Sequence, residues 1–345
     1  MKKLPLLAAL AVSLSCSPTS KPIDQGEIIL HQLTDVVVVG TYQRLAEAGL
    51  HLQQLAQNTP VPTEESVSQL KEAWKDARTF WEQTEGFLFG PVDFEEIDPA
   101  LDSWPLDQTS IDEYLNSSDT IDQDGLLRNP EARGFHLLEY LLWGSDGQKK
   151  IQDFTSREWT LLQVAAADFA QNTQKLVDAW TVGDEAFGLL VKQPNNATYD
   201  QAKSVYLEFA EGMAGIAAEM VESKMGGPFN EEGGVPLPQE QESYYSDQSK
   251  GDLINNLISI RNVFNGTTDG AIGNGLVALV AEQEPTLDQK FRPLWQSAFN
   301  AVNQLPASFT EAITHHREEV KAAQKEVAAL HSFLENELVG FFSNK

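Results

Sequence analysis

The chain has 345 residues and a single cysteine, Cys16. One thiol can close no internal disulfide, and it excludes a metal cage built of thiolates. Positive charge is scarce as well: 24 Lys and Arg stand against 51 Asp and Glu, a formal net charge of −27. So acidic a surface repels nucleic acid and anionic lipid, and it favours cations or basic partners. No apolar run is long enough to cross a bilayer as a stable helix. Strand signals are weak, and the best of them, VVVV at 36–39, lies inside a helical frame. Neither HExxH nor HxxEH occurs, so the familiar helical zinc-peptidase motif is missing.

What the chain does contain begins with MKKLPLLAALAVSLSCSPTSK. Two lysines precede an apolar run from Leu4 to Leu14 and then Ser15-Cys16, the layout of a secretion signal. The end of segment 1–16 resembles a bacterial lipobox, whose cysteine becomes the lipid-bearing first residue after cleavage. Ser13 departs from the Leu usual at its position, which keeps plain signal-peptidase cleavage as the alternative. Residues 17–26 read as a tether. The expectation is an exported protein, lipid-anchored to a bacterial membrane through Cys16 and facing the periplasm or cell surface.

Beyond the tether the apolar period is helical almost throughout. Expected helices run from Ile28 to Gln57 and from a cap at Thr63 to about Leu88. The next starts at Pro130, carries RGFHLLEYLLWG and stops at Gly144 and Gly147; Thr155 to Val182 follows. FGPVDFEEIDPALDSWPLD reads as irregular, 112–115 and 125–127 as short turns, and 183–196 as a break. A helix from Thr198 to about Lys224 leads into a long Gly/Pro-rich loop, followed by Asp252 to Asn265, Leu287 to Gln304 and Thr310 to Phe342. The economical architecture is all-α: two four-helix bundles, 27–190 and 191–345.

Polar residues inside apolar helices carry the chemistry. His136 and Glu139 sit three apart, on one face of a helix otherwise rich in Leu, Phe, Tyr and Trp, and can reach a single ion or water. Glu82 and Glu85 repeat that spacing among Phe80, Trp81, Phe87 and Phe89. Bundle metal sites are built from such carboxylate and histidine pairs, and a shared cation offsets the cost of burying each carboxylate. Asp98 and Asp102 stand on a proline-stiffened loop able to fold over the same place. One imidazole with several carboxylate oxygens suits iron, manganese, calcium or zinc. The bland alternatives are a locally hydrogen-bonded pair for His136 and Glu139 and a solvated helix face for Glu82 and Glu85.

Gly134-Phe135-His136-Leu137-Leu138-Glu139 resembles the GxHxxE signature of the imelysin family. Trp81-Glu82-Gln83-Thr84-Glu85, Phe87 to Val92, Asp102-Ser103-Trp104-Pro105, Glu242 to Ser246, Asn255-Asn256 and Asn262 to Gly266 are similar to further family motifs, in the same order. The resemblance implies an exported, helical bacterial protein linked to iron uptake. It also implies metal ligands at Glu82, Glu85, Asp102, His136 and Glu139, Asp102 being the loosest because Asp98 is one turn away. Arg133 and Tyr140 are candidates for supporting contacts to the site or to a ligand.

Three functions remain open on the sequence. The first is binding of a metal ion, iron foremost, or of an iron-containing ligand, in concert with iron-transport components of the membrane. The second is a metallopeptidase, for which no catalytic residue can be named. The third is a metal-free adaptor whose loop 225–246 lines a cleft with Phe229, Tyr244 and Tyr245. Nucleic acid is not an expected partner.

Overall fold

The structure, a computed structural model, describes residues 24–343. The expected signal, most of the tether and Cys16 lie outside the described residues. Among the described residues there are helices and turns and no strand, so the fold is all-α. No helix among them is long and apolar enough to cross a membrane.

The first long helix, α1, joins Gln25–His31, Gln32–Val38 and Val39–Gln57 without a break. The VVVV run lies in its middle, where Gln32–Val38 takes the wider π turn. Helix α2, Glu64–Glu82, starts where the sequence announces it: Thr63 Oγ1 accepts the Ser66 N–H at 3.1 Å, and Ser66 Oγ accepts the Thr63 N–H at 2.9 Å. Val67, Leu70, Trp74, Ala77 and Trp81 recur at helical spacing and are buried. Burying side chains of this size stabilises the fold by about 1.5–3 kcal/mol each, and truncating Trp74 to Ala would cost about 3–5 kcal/mol. Where one helix to about Leu88 was expected, α2 ends at Glu82 and a separate 3₁₀ turn spans Glu85–Phe87.

The proline-rich stretch is more ordered than its composition suggests, holding Pro91–Phe94 and α3, Ile97–Asp102. Gln108–Asn116 and Gln123–Leu127 are short helices. Helix α4, Gly134–Trp143, carries the signature; it begins four residues after Pro130, which stays outside it. Helix α5, Ser156–Thr181, lies within the expected Thr155 to Val182, with Thr155 as its cap. The expected break after it contains the helix Phe187–Lys192. Helices α1, α2, α4 and α5 pack on one another, with α3 against α4 and α5.

Helix α6, Ala202–Glu219, continues through a second π turn, Met220–Met225. Helices α7, Ser249–Asn265, and α8, Pro285–Gln304, follow, with an unexpected helix, Leu276–Gln283, between them. The last expected helix divides at His316 into Phe309–His315 and α9, Arg317–Phe333. Helices α6, α7, α8 and α9 form the second packed group. The two groups meet where α7 lies on α2 and where both α6 and α7 press on the Glu85–Phe87 turn. That turn is held by glycine: a Cβ on Gly212 would come within 2.5 Å of the Gly86 carbonyl, so only bare backbone permits the approach.

Candidate metal centre

Every side chain of the centre arrives at the seam between the two groups. Helix α2 projects Arg78 and Glu82 from one face, four residues apart. Both are buried, and the Arg78 guanidinium contacts Glu82 Oε1 at 2.5 Å. It also pairs with Asp102, with Glu242 Oε1 at 2.9 Å and with Asp252 Oδ1 at 3.6 Å. Lys224, from the π turn after α6, reaches Glu242 Oε2 at 2.5 Å and Glu82 Oε2 at 3.5 Å. Asn256 Nδ2 donates to Glu82 Oε2 at 2.6 Å, and Trp81 Nε1 donates to Asp102 Oδ2 at 2.6 Å.

Gly134 explains how His136 gets there. It opens α4 with φ +67°, and a Cβ would sit 2.0 Å from the Leu101 carbonyl oxygen. The start of α4 can therefore lie against the end of α3 only with glycine in place. Two residues on, the fully buried His136 brings Nε2 to 3.1 Å from Asp102 Oδ1, the next residue after Leu101. The Trp104 ring covers the imidazole at 4.6 Å between centroids. On the other side Nδ1 faces Glu139 Oε2 at 3.4 Å. Glu139 Oε1 accepts both the N–H and the hydroxyl of Ser246, at 2.7 and 2.6 Å.

Three sets of donor atoms each lie within 4.8 Å of one another: Asp102, His136 and Glu242; Glu82, Glu85 and Asp102; and Glu82, Glu242 and Asp252. Four of the five residues implied as ligands thus come together with one another or with Glu242. Glu139 is in contact with His136 but belongs to none of these sets. Asp98 lies on the wall of an adjoining cavity of about 580 Å³, which Glu85, Asp102, Trp104, Glu219, Lys224 and Glu242 also line. Arg133 and Tyr140 stand apart. Arg133 forks onto Asp168 of α5 at 2.8 and 3.0 Å, and Tyr140 bonds Asp112 at 3.3 Å and packs on Tyr245.

No sequence motif marks Arg78, Lys224 or Asp252 as part of a site, and Asn256 enters only within a family motif. Glu242 likewise stands in the sequence only within the motif Glu242 to Ser246. Arg78 had a local signal, since it stands one turn before Glu82 on an otherwise apolar face. The others come from the second half of the chain, and no local spacing points to them.

The electrostatics follow from burial. Loss of water pushes the Glu82 carboxyl up to about 8, against the pull of Arg78 and Lys224. Glu85 is pushed well above the usual range by burial and by repulsion from Glu82, Glu242 and Asp102. Asp98 rises to about 7 and Asp252 to about 6, burial being the main cause for both. Asp102 goes the other way: burial opposes its charge, but Arg78 and His136 hold it well below the usual range. Burial also works against a charged His136, yet the neighbouring carboxylates of Asp102 and Glu139 carry its pKa to about 9.

The donor set fits a cation of hard or borderline character. Buried His136 Nε2 and Glu82 Oε1 lack a well-directed hydrogen bond, and Glu85 has no hydrogen bond or ion pair among the described residues. These are the atoms a cation would satisfy.

Fold and centre together define an all-α protein with a buried histidine, carboxylate and arginine cluster at a seam between helices. The family description Imelysin matches residues 38–334, and the chain belongs to the imelysin family. It is 28% identical over 313 residues to iron-regulated protein A of Synechococcus elongatus, covering 88% of this chain and 83% of that protein. It superposes with a TM-score of 0.82 on the crystal structure of an iron-regulated protein A precursor from Parabacteroides distasonis, at 26% identity, covering 94% of this chain and 97% of the other. An imelysin-like protein from Psychrobacter arcticum shares the fold at a TM-score of 0.67 and 13% identity, over 92% of this chain and 96% of the other.

Proposed function

We propose that this protein binds a metal cation, iron foremost, free or within an iron-containing ligand, at the Glu82, Glu85, Asp102, His136 and Glu242 cluster. The observation that carries the reading is His136 Nε2: buried, without a well-directed hydrogen bond, and within 4.8 Å of donor atoms of Asp102 and Glu242. Charge supports it. The carboxylates Glu82, Glu85, Asp102, Glu242 and Asp252 outnumber Arg78 and Lys224, and a cation that takes the place of the His136 proton would offset that surplus. Without a cation, protons hold that surplus on Glu82 and Glu85. The names of the two iron-regulated relatives favour iron over zinc, calcium or manganese.

The same reading makes the protein an exported component of bacterial iron uptake. It would be lipid-anchored through Cys16 and would work beside membrane transport components. The two packed groups of helices would be two bundle domains, 27–190 and 191–345. A bound cation would supply positive charge at the seam. The chain's own residues would hold it, with Trp104 shielding the imidazole from water.

Metal analysis of protein purified without chelator, followed by calorimetric titration of Fe²⁺, Mn²⁺ and Zn²⁺, tests the reading. One bound cation is expected. The His136→Ala variant should lose most of the affinity while keeping more of its cation-free melting temperature. A variant that binds as tightly as the wild type would refute the assignment.

A further inference from the structure

Glu139 is the residue whose implied role agrees least with its surroundings. The HxxE spacing makes it a ligand beside His136, yet both of its oxygens are engaged elsewhere. Oε1 receives two hydrogen bonds from Ser246, at 2.7 Å from the N–H and 2.6 Å from the hydroxyl. Oε2 faces His136 Nδ1 at 3.4 Å, on the ring edge opposite the one that meets Asp102. Around Nε2 the third donor is Glu242, with the Asp102, His136 and Glu242 atoms within 4.8 Å of one another.

We infer that Glu139 is a positioning residue, fixed by Ser246, that holds the Nδ1–H of His136 so that Nε2 presents its lone pair to the cation, and that Glu242 is the carboxylate completing the ligand set. The inference rests on the metal-binding reading and deepens it. A metal-bound imidazole needs its other nitrogen protonated and anchored. A carboxylate there fixes the tautomer and the ring plane, and raises the basicity of the ligating nitrogen. Ser246 supplies the anchor from the opposite half of the chain, through its side chain and its backbone.

The short stretch Glu242 to Ser246 thereby delivers two parts of the centre at once. Glu242 comes to the cation side of His136, and Ser246 comes to the far side through Glu139. Ser243 Oγ donates to Asp252 Oδ2 at 2.5 Å, and Tyr245 packs on Tyr140 of α4. These contacts seat the stretch against both helix groups. His136 is correctly oriented only when this stretch is in place.

Calorimetric titration of the full chain with Zn²⁺, a diamagnetic probe, tests the inference. Removing an outer partner of a metal-bound histidine typically costs about 10–100-fold in affinity, and that loss is expected for Ser246→Ala with 1:1 stoichiometry retained. Ser246→Thr, which keeps the hydroxyl, should return affinity to the wild-type value. In a His136→Ala background, Ser246→Ala should cause no further loss, because the relay then has nothing to orient. Glu242→Gln should weaken binding more than Glu139→Gln. In ¹⁵N-histidine spectra of the Zn²⁺-loaded wild type, His136 should carry its proton on Nδ1.

Two results separate the possible failures. If the wild type binds no Zn²⁺, the metal reading falls and this inference falls with it. If the wild type binds but Ser246→Ala is unchanged, or its loss persists without His136, only the relay is overturned.

Discussion

Arg78 offers the sharpest test of how the centre is held together. Its guanidinium touches Glu82, Asp102 and Glu242 and comes within 3.6 Å of Asp252, almost wholly out of water. Replacing it with Met keeps the side chain long and apolar and removes the charge. The carboxylates then face one another with only Lys224 and His136 to balance them. Breaking a buried pair by deleting one partner costs about 3–5 kcal/mol, a large share of a total stability of about 5–15 kcal/mol. The several contacts do not simply add, because the abandoned carboxylates can take up protons. For a chain of this size that cost corresponds to a fall of roughly 4–7 °C in melting temperature. The proton escape sets the sign of the pH dependence. Without Arg78 the folded-state pKa values of Glu82 and Asp252, already raised by burial, rise further, so folding takes up more protons and the penalty shrinks as pH falls. Circular-dichroism melts of both proteins at pH 5 and pH 8 should show the larger gap at pH 8. Mn²⁺ should also raise the variant's melting temperature by more than the wild type's. A variant within about 1 kcal/mol of wild type at pH 8, well under the buried-pair cost, would refute the claim that Arg78 neutralises the cluster.

Other outcomes follow from the same geometry. Gly134→Ala forces a Cβ against the Leu101 carbonyl at φ +67°, so denaturant melts should show a loss of at least about 1–3 kcal/mol; an unchanged midpoint would mean that α3 and α4 can separate freely. Cation affinity should rise from pH 6 to pH 8, because Glu82, held at about 8 by burial, must shed its proton. Titrations in buffers of different ionisation enthalpy should record that proton release at pH 7. In the cation-free protein His136 is raised from 6.5 to about 9, so its contribution is present in full below pH 6.5 and lost as pH rises through 9. The His136→Gln variant should therefore fall short of wild type by roughly 3 kcal/mol at pH 6 and by much less at pH 10.

Helix starts are legible where the local signal is complete. The Thr63 cap starts α2 because its side-chain oxygen finds its backbone donor within the next turn, and Thr155, expected as the first residue of α5, caps it in the same way. Helix ends were harder. Helix α2 ends at Glu82, short of the expected Leu88, and the chain beyond is shaped by the Gly86–Gly212 approach, a contact with the distant α6. Pro130 looked like a helix start, but the special conformation belongs to Gly134, whose need for glycine comes from Leu101. The centre divides in the same way. Glu82, Glu85, His136 and Glu139 were legible as paired spacings within single turns, and Asp102 through the family resemblance. Lys224, Glu242 and Asp252 reach Glu82 and Arg78 only in three dimensions, and no one-dimensional period encodes that.

The π turn at Met220–Met225 has a consequence for register. In a regular helix, residues five apart point roughly 140° away from each other, so Glu219 and Lys224 could not share a wall. The π turn closes its hydrogen bonds between residues five apart instead, which turns the two toward one face, and both side chains line the same cavity. Were the segment to relax to a regular α-helix at full length, Lys224 would turn away from the wall of Glu219 and carry its ammonium group off Glu82 and Glu242, with the composition of the helix unchanged.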